Sequence, residues 1–202
     1  ERLDATQSVD FGYGVPGVAR FRANIYMQRG TYGAVFRRVP IQILGIDELE
    51  LPTAVRDMTE FPDGLILVTG PTGSGKSTTL AALISEIAGK EPLHIVTIED
   101  PIEFLFADRV AAISQREVGS DTPSFGEALR NSMRQDPDVI MVGEMRDRET
   151  IQTVLTAAET GHLVFSTLHT NNAAQTIDRI IDAFPPEQHK QIRAQLALVL
   201  RG

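Results

Sequence analysis

The stretch that decides the fold is residues 70–77, which read Gly70-Pro71-Thr72-Gly73-Ser74-Gly75-Lys76-Ser77. It fits the pattern GxxxxGK[ST], follows an apolar run at residues 65–69 and opens a helical pattern at residues 77–88. A strand before the motif and a helix after it are the context that a phosphate-binding loop requires. The sequence therefore predicts that this loop binds the phosphates of a nucleotide.

The residue types of the loop suit that chemistry. Glycines let successive backbone N–H groups turn toward one anion, and the positive end of the following helix lies at the same point. In such a loop Lys76 is expected to bridge the β and γ phosphates, and Ser77 is expected to hold Mg²⁺. The predicted binding set is the loop with Thr78 after it, and the predicted cofactors are ATP and Mg²⁺. The alternative is a glycine-rich surface turn, which does not require the flanking strand and helix.

Apolar runs alternate with helical patterns after residue 62. Strands are predicted at residues 65–69, 95–98, 139–142 and 163–167, and helices at residues 77–88, from 124, from 148, from 172 or 173 to 182, and 187–200. This βαβ repetition is typical of an α/β fold with a parallel sheet. The run at 139–142 is apolar throughout, which indicates a strand covered by helices on both faces. Ser124 and Glu127 form a capping-box pattern at one helix start.

The first part of the chain has a different pattern. Residues 19–27 alternate polar and apolar side chains and residues 33–39 form a second strand-like run, which predicts a hairpin. Residues 8–11 are expected to add a third antiparallel strand. Turn signals stand between residues 8–11 and 19–27, at Gly12, Gly14, Pro16 and Gly17. Residues 40–62 are expected to connect two differently built units. We therefore predict domains at residues 1–50 and 51–202, with the boundary near Glu50.

Composition excludes several classes of protein. The 202 residues carry a net charge of −8 and no cysteine, so a disulfide framework, a thiolate zinc site and a cysteine nucleophile are ruled out. The acidic balance disfavours a protein that coats nucleic acid. No apolar run is long enough for a membrane span and no secretory signal is present, so the default expectation is cytosolic. The chain begins at Glu1, and we expect it to be a fragment of a longer protein.

Acidic residues follow two of the predicted strands. Glu99, Asp100 and Glu103 come after the strand at 95–98, and Glu144 comes after the strand at 139–142. In open α/β sheets ligands bind beyond the carboxyl ends of the strands. Glu103 and Glu144 are the best candidates for orienting the attacking water and holding the metal, with Asp100 as a further metal-ligand candidate. The residues alone leave open which glutamate is the base, and solvated acids at a turn are the alternative.

Two histidines flank the strand at 163–167. From His162 to His169 the chain extends about 23 Å at about 3.3 Å per residue, so both cannot contact one γ-phosphate within a chain. His169 stands at the predicted nucleotide end and is expected to contact that phosphate. His162 stands at the far end and is expected to pack or to meet another subunit.

Five arginines crowd the predicted hairpin of the first unit. They are Arg20, Arg22, Arg29, Arg37 and Arg38. A guanidinium suits the charge that builds on a transferring phosphoryl group, and NTPases often take it from a neighbouring subunit. The alternative is a solvated strand face.

Four blocks of the sequence resemble one family, the secretion ATPases, and within it the branch of type IV pilus retraction motors. Besides the phosphate loop, residues 98–104 look like the family's Asp box, residues 143–147 like its atypical Walker B motif, and residues 160–170 like its His box. Residues 15–22 and 33–37 look like the end of its N-terminal domain. The resemblance implies a RecA-like P-loop ATPase domain with a parallel central sheet, preceded by part of a small PAS-like α+β domain.

The same resemblance implies the machinery. ATP would lie between the two domains of a hexameric ring, beside a neighbour's arginines. Glu103 would be the catalytic base, Glu144 would lie near Mg²⁺ partly through water, and His169 would contact the γ-phosphate. Arg22 and Arg37 would be the arginines that contact phosphate.

The resemblance also implies a biological role. Met145 and the residues at 157–161 look like the retraction branch, whereas assembly and type II secretion motors usually carry a tetracysteine zinc insertion. We therefore expect pilus retraction and twitching motility, powered from the cytoplasmic face of the inner membrane through a pilus platform protein, with no nucleic-acid partner. The alternatives are a pilus assembly or type II secretion ATPase, a RecA-like nucleic-acid translocase, and a nucleotide-binding switch.

Overall fold

The computed structural model describes residue 3 and residues 6–15, 18–39, 42–170 and 172–202. The predicted turn signals Pro16 and Gly17 and the start of the predicted connection, residues 40–41, lie outside the described residues. In the described part of the chain, no helix has the length and apolar character that crossing a membrane requires.

The first part of the chain forms a three-stranded antiparallel sheet. Its strands are β1 (Ser8–Val15), β2 (Ala19–Gln28) and β3 (Thr31–Val39), in the order β1-β2-β3. The prediction of a turn at Gly12 and Gly14 is wrong, because both glycines lie within β1 and pair with β2. Gly12 instead allows the Glu117 side chain to lie close to the backbone of β1, since a Cβ at Gly12 would lie 2.9 Å from Glu117 Oε2. The sheet agrees with the predicted part of a PAS-like domain.

The rest of the chain alternates helices and strands. In order they are α1 (Thr53–Asp57), β4 (Gly64–Thr69), α2 (Lys76–Lys90), β5 (His94–Glu99), β6 (Ala112–Glu117), α3 (Phe125–Ser132), β7 (Val139–Val142), α4 (Arg148–Glu159), β8 (Leu163–Leu168), α5 (Ala173–Asp182) and α6 (His189–Val199). Short 3-10 turns lie at Met58–Glu60 and Pro186–Gln188. The last helix therefore starts two residues later than predicted, after the 3-10 turn.

The five strands of this second unit form one parallel sheet in the order β4-β8-β7-β5-β6. The predicted α/β fold with a parallel sheet is thus confirmed. Strand β6 was missed by the sequence analysis, because Ala112–Glu117 is an edge strand whose polar residues give no apolar run. The Ser124 half of the predicted capping box is present, since its side chain accepts a hydrogen bond from Glu127 N.

Helices cover both faces of the sheet. One core contains Val96, Ile140 and Val164 with residues of α3, α4, α5 and α6, and the other contains Ile95, Met141 and Phe165 with residues of α2. Successive strand residues alternate between the two cores because side chains of a strand point to opposite faces. Burial on both faces explains the continuous apolar run of β7, as predicted.

The connection between the units is anchored to the second core. Ile46 is 2% exposed and packs in the core that contains α2, and Leu49 and Leu51 pack against it while partly buried. This packing fixes the middle of the connection to the second unit. The candidate site lies at the carboxyl ends of the strands of that unit.

Candidate active site

The carboxyl ends of the parallel strands meet at one edge of the sheet. Gly70 follows β4, His169 follows β8, Gly143 follows β7 and Asp100 follows β5. A cavity of about 560 Å³ lies at this edge. Among its lining residues are Arg22, Arg37, Thr72, Gly73, Gly75, Lys76, Ser77, Thr78, Asp100, Glu103, Glu144, Arg146 and His169. The structure thus brings the predicted phosphate loop, acids, histidine and arginines to one site.

The phosphate loop joins β4 to the first turn of α2. Gly73 and Gly75 have φ values of 80° and 94°, and a Cβ at either would meet nothing within 4 Å, so backbone conformation is the reason for glycine there. Lys76 is buried, and its Nζ donates to the carbonyl oxygens of Gly70 and Pro71, at 2.9 Å in each case. The ammonium group is therefore held at the helix N-terminus, where the partial positive charge favours an anion.

The strand order brings His169 between the loop and Glu144, because β8 lies between β4 and β7. His169 Nδ1 is 3.5 Å from Lys76 Nζ, and His169 Nε2 is 3.7 Å from Glu144 Oε2. His162 lies beyond the opposite end of β8, with Nδ1 2.9 Å from the carbonyl oxygen of Ala157. The two histidines are thus separated by the strand, as the length of the chain between them predicted.

Arg146 lies between two of the predicted metal-site acids. Its Nη1 is 3.3 Å from Asp100 Oδ2, and its Nη2 donates to Glu144 Oε1. The hydrogen bond with Glu144 raises the pKa of Arg146 above its ordinary value, and the charges of Glu144 and Asp100 add to this effect. No role is predicted for Arg146 from the sequence, although it stands two residues after Glu144. One guanidinium group therefore pairs with both carboxylates and offsets part of their negative charge.

Glu103 is exposed and faces the N-terminal sheet. Its Oε1 is 4.0 Å from Arg22 Nη1, and its backbone N–H donates to Glu99 Oε2 at 3.3 Å. Arg37 is the register partner of Arg22 on β3. These arginines belong to the same chain as the phosphate loop, where the resemblance implied arginines of a neighbour. One chain therefore brings a base candidate and two guanidinium groups to its own cavity.

Glu99 is a buried acid for which the sequence pattern predicts no role. Its Oε1 accepts hydrogen bonds from Thr97 Oγ1 at 2.7 Å and Gln115 Nε2 at 3.0 Å. Burial raises the pKa of the Glu99 carboxyl, and these donors oppose the shift only in part. Its position as the last residue of β5 is the signal that could have found it.

The donor set fits Mg²⁺ bound together with a nucleotide. Within the described ranges, no group of three or more His, Cys, Asp or Glu side chains is suited to hold a metal by itself. Mg²⁺ is usually held by one or two carboxylates, substrate phosphates and water rather than by a protein cage. Ser77 and Glu144, with Asp100 nearby, supply that smaller number of oxygen donors.

Comparison with known proteins identifies the family. Residues 34–201 match the family described as "Type II/IV secretion system protein". The chain belongs to this family. It is 54% identical over 193 residues to the "Type IV pilus retractation ATPase PilT" of Pseudomonas aeruginosa, covering 96% of this chain and 56% of that protein. It is 53% identical over 189 residues to the "Twitching motility protein" of Neisseria gonorrhoeae, covering 94% of this chain and 50% of that protein.

A solved structure has the same fold. The crystal structure titled "Crystal Structure of the Pilus Retraction Motor PilT and Bound ADP" superposes with a TM-score of 0.96 at 54% identity, covering 100% of this chain and 59% of that one. The chain therefore spans about half the length of the curated relatives it matches. These relatives confirm the predicted resemblance to the secretion family and the predicted fold.

Proposed function

We propose that the intact protein is a Mg²⁺-dependent ATPase that powers type IV pilus retraction as a hexameric motor. The observation that carries the proposal is the meeting of the phosphate loop with Glu103, Glu144, His169, Arg22 and Arg37 on one cavity. Relatives named as a retraction ATPase and a twitching motility protein support this branch of the family.

The proposed roles follow from the position of each side chain. Lys76 and the loop N–H groups bind the β and γ phosphates, and Ser77 with Glu144 holds Mg²⁺, which would neutralise phosphate charge when bound. His169, next to Lys76, contacts the γ-phosphate. Glu103 is exposed toward the cavity and acts as the base that orients the attacking water.

The arginines supply positive charge from the other side of the cavity. Arg22 and Arg37 lie on neighbouring strands of the N-terminal sheet and line the same cavity as the phosphate loop. Fixed guanidinium groups stabilise the charge that develops on a transferring phosphoryl group. A change in phosphate charge would thus change the attraction between the two units.

We further propose that the N-terminal sheet moves relative to the second unit during hydrolysis. In the ring, this motion would be passed to a pilus platform protein at the cytoplasmic face of the inner membrane, so that the motor is peripheral to the membrane through its partner. Ile46, which packs on the second core, would be the fixed point of the connection.

The experiment is steady-state ATP hydrolysis by the intact protein with Mg²⁺ over a range of protein concentrations, beside Glu103→Gln. Specific activity should rise with protein concentration, because a ring assembles by mass action. The substitution should lower kcat by about 10²- to 10⁴-fold, the usual contribution of general base catalysis. Glu91→Gln, at an exposed glutamate after α2, is the matched control. Full turnover of Glu103→Gln would overturn the assignment of the base.

Rival functions give different results in the same preparation. A RecA-like translocase would be stimulated by DNA in a salt-dependent manner, which the net charge of −8 disfavours. A nucleotide switch would show slow turnover limited by nucleotide exchange. Restoration of twitching in Pseudomonas aeruginosa lacking its retraction ATPase would separate retraction from pilus assembly and type II secretion.

A further inference from the structure

The carboxylate of Glu117 is buried at the carboxyl end of β6 and accepts four hydrogen bonds. Its Oε2 accepts from Arg20 Nη2 at 2.7 Å and from Ile102 N at 3.0 Å. Its Oε1 accepts from Gly12 N at 3.2 Å and from Ser120 Oγ at 3.3 Å. A buried carboxylate is stable only when it is paired and hydrogen-bonded. One side chain therefore joins β1 and β2 to the acidic loop, which we define as residues 100–103.

A second buried carboxylate holds the next amide of the acidic loop. Glu99 is the register partner of Glu117 in the parallel ladder between β5 and β6. Glu99 Oε2 accepts from Glu103 N at 3.3 Å. The N–H groups of Ile102 and Glu103 are thus bound by the last residues of two adjacent strands. The backbone that carries the Glu103 side chain is fixed at two consecutive positions.

Arg20 connects the same carboxylate to the other side of the cavity. It lies two residues before Arg22 on β2, so both side chains extend from one face of the N-terminal sheet. Arg22 Nη1 is 4.0 Å from Glu103 Oε1. Glu117 is therefore connected to Arg22 through Arg20 on the same strand, and to Glu103 through the backbone N–H of Ile102.

Gly12 leaves the space for the joint, by which we mean the Arg20–Glu117 ion pair together with the hydrogen bonds that Glu117 accepts. A Cβ at Gly12 would lie 2.9 Å from Glu117 Oε2 and closer still to Arg20 Nη2. Any side chain at this position would displace the ion pair, which is partly shielded from water because the Arg20 and Glu117 side chains are 22% and 6% exposed. Glu117 does not line the nucleotide cavity, so it can influence the reaction only through its partners.

We propose that Glu117 is a positioning residue for Glu103, and that its ion pair with Arg20 couples the N-terminal sheet to the acidic loop. The inference rests on the proposed function, because it assumes that Glu103 and Arg22 act on the nucleotide. Through this joint, a displacement of the N-terminal sheet moves Arg22 and the Glu103 backbone together. The joint thus keeps the base and the arginine aligned as the two units move.

The test compares Glu117→Gln, Arg20→Gln and Arg20→Lys in the intact protein. We expect Glu117→Gln to lower kcat about a hundredfold, since a displacement of about 1 Å costs that much. ADP affinity should stay within about twofold, because the phosphate loop is untouched. Arg20→Gln should lower kcat as well, and Arg20→Lys should retain most of the turnover because it keeps the charge. Asp63→Asn, which breaks a 2.8 Å ion pair with Arg201, is the matched control.

A second measurement does not depend on hydrolysis. Amide hydrogen exchange at Ile102 should be faster in Glu117→Gln and in Arg20→Gln than in the wild type, and unchanged in Asp63→Asn. Full turnover of Glu103→Gln would overturn the role of the base, whereas exchange at Ile102 would still report on the joint. Unchanged exchange in both variants would overturn the coupling, as would equal losses of kcat and ADP affinity. If Glu117→Gln does not fold, Arg20→Gln and Gly12→Ala decide, since both should lower kcat and speed exchange at Ile102.

Discussion

Arg22 Nη1 lies 4.0 Å from Glu103 Oε1 within a single chain. Both side chains are exposed, so the contact is worth at most about 1 kcal/mol as an isolated ion pair. Its importance is positional, because it places a guanidinium from the N-terminal sheet opposite the proposed base at the mouth of the nucleotide cavity. We therefore expect Arg22 to serve the cavity of its own chain.

Mixing subunits tests this arrangement. Lys76→Ala subunits lack the phosphate lysine and Arg22→Ala subunits lack the arginine. If Arg22 serves its own chain, every subunit in a mixed ring has one defect, and ATP hydrolysis should not exceed the weighted sum of the two parents. Arg38→Ala is the control for the loss of an arginine from this sheet, because Arg38 lies on β3 on the face opposite to Arg22 and Arg37. Rescue of activity at intermediate ratios would show that Arg22 acts across an interface.

The cation requirement should depend on Glu144 and Arg146 in opposite directions. Glu144→Gln should raise the Mg²⁺ concentration for half-maximal ATP hydrolysis, because an anionic donor is lost. Arg146→Gln should lower it about 1.4- to fivefold, because an exposed ion pair of about 0.2–1 kcal/mol no longer competes for the carboxylates. Mg²⁺ titrations at saturating ATP measure both effects. A higher Mg²⁺ requirement in Arg146→Gln would contradict the competition between Arg146 and the metal.

The two histidines should behave differently. His169→Asn should lower kcat by about tenfold or more, since removal of a group that contacts the reacting phosphate weakens transition-state stabilisation. His162→Asn should leave ATP affinity unchanged, because His162 lies beyond the far end of β8 and contacts the Ala157 carbonyl oxygen. Nucleotide titrations and single-turnover hydrolysis of both variants make the comparison. Unchanged kcat in His169→Asn, or a loss of ATP affinity in His162→Asn, would contradict the separation of roles.

The buried Glu99 should make stability depend on pH. Burial raises the pKa of its carboxyl in the fold, so its stabilising contribution is complete below the unfolded pKa and is lost as pH rises through the folded pKa. Glu99→Gln cannot titrate. The unfolding midpoint of the wild type relative to Glu99→Gln should therefore be higher at about pH 5 than at about pH 8. Thermal unfolding of both proteins checks this, and a difference that is the same at both pH values would contradict the expected titration.

Much of the site could be predicted because its residues are local in sequence. Contiguous sequence patterns with a known physical cause mark the loop at 70–77, its flanking strand and helix, and the acids after β5 and β7. Glu117 escaped prediction because β6 is a polar edge strand, and nothing in the linear pattern indicates that a carboxylate there meets Arg20. Gly12 was misread for a related reason, since a glycine can serve a turn or a close approach and only the neighbour decides.

The sequence by itself determined the parallel α/β unit, the phosphate loop and the strand ends that carry the acids, because hydrophobic period and glycine placement act within a few residues. The tertiary structure decided which of those ends are adjacent. Strand β8 lies between β4 and β7, so His169 comes next to both Lys76 and Glu144, and the N-terminal sheet brings Arg22 to Glu103. These contacts join residues far apart in the chain, and they depend on strand order and packing, which local patterns do not encode.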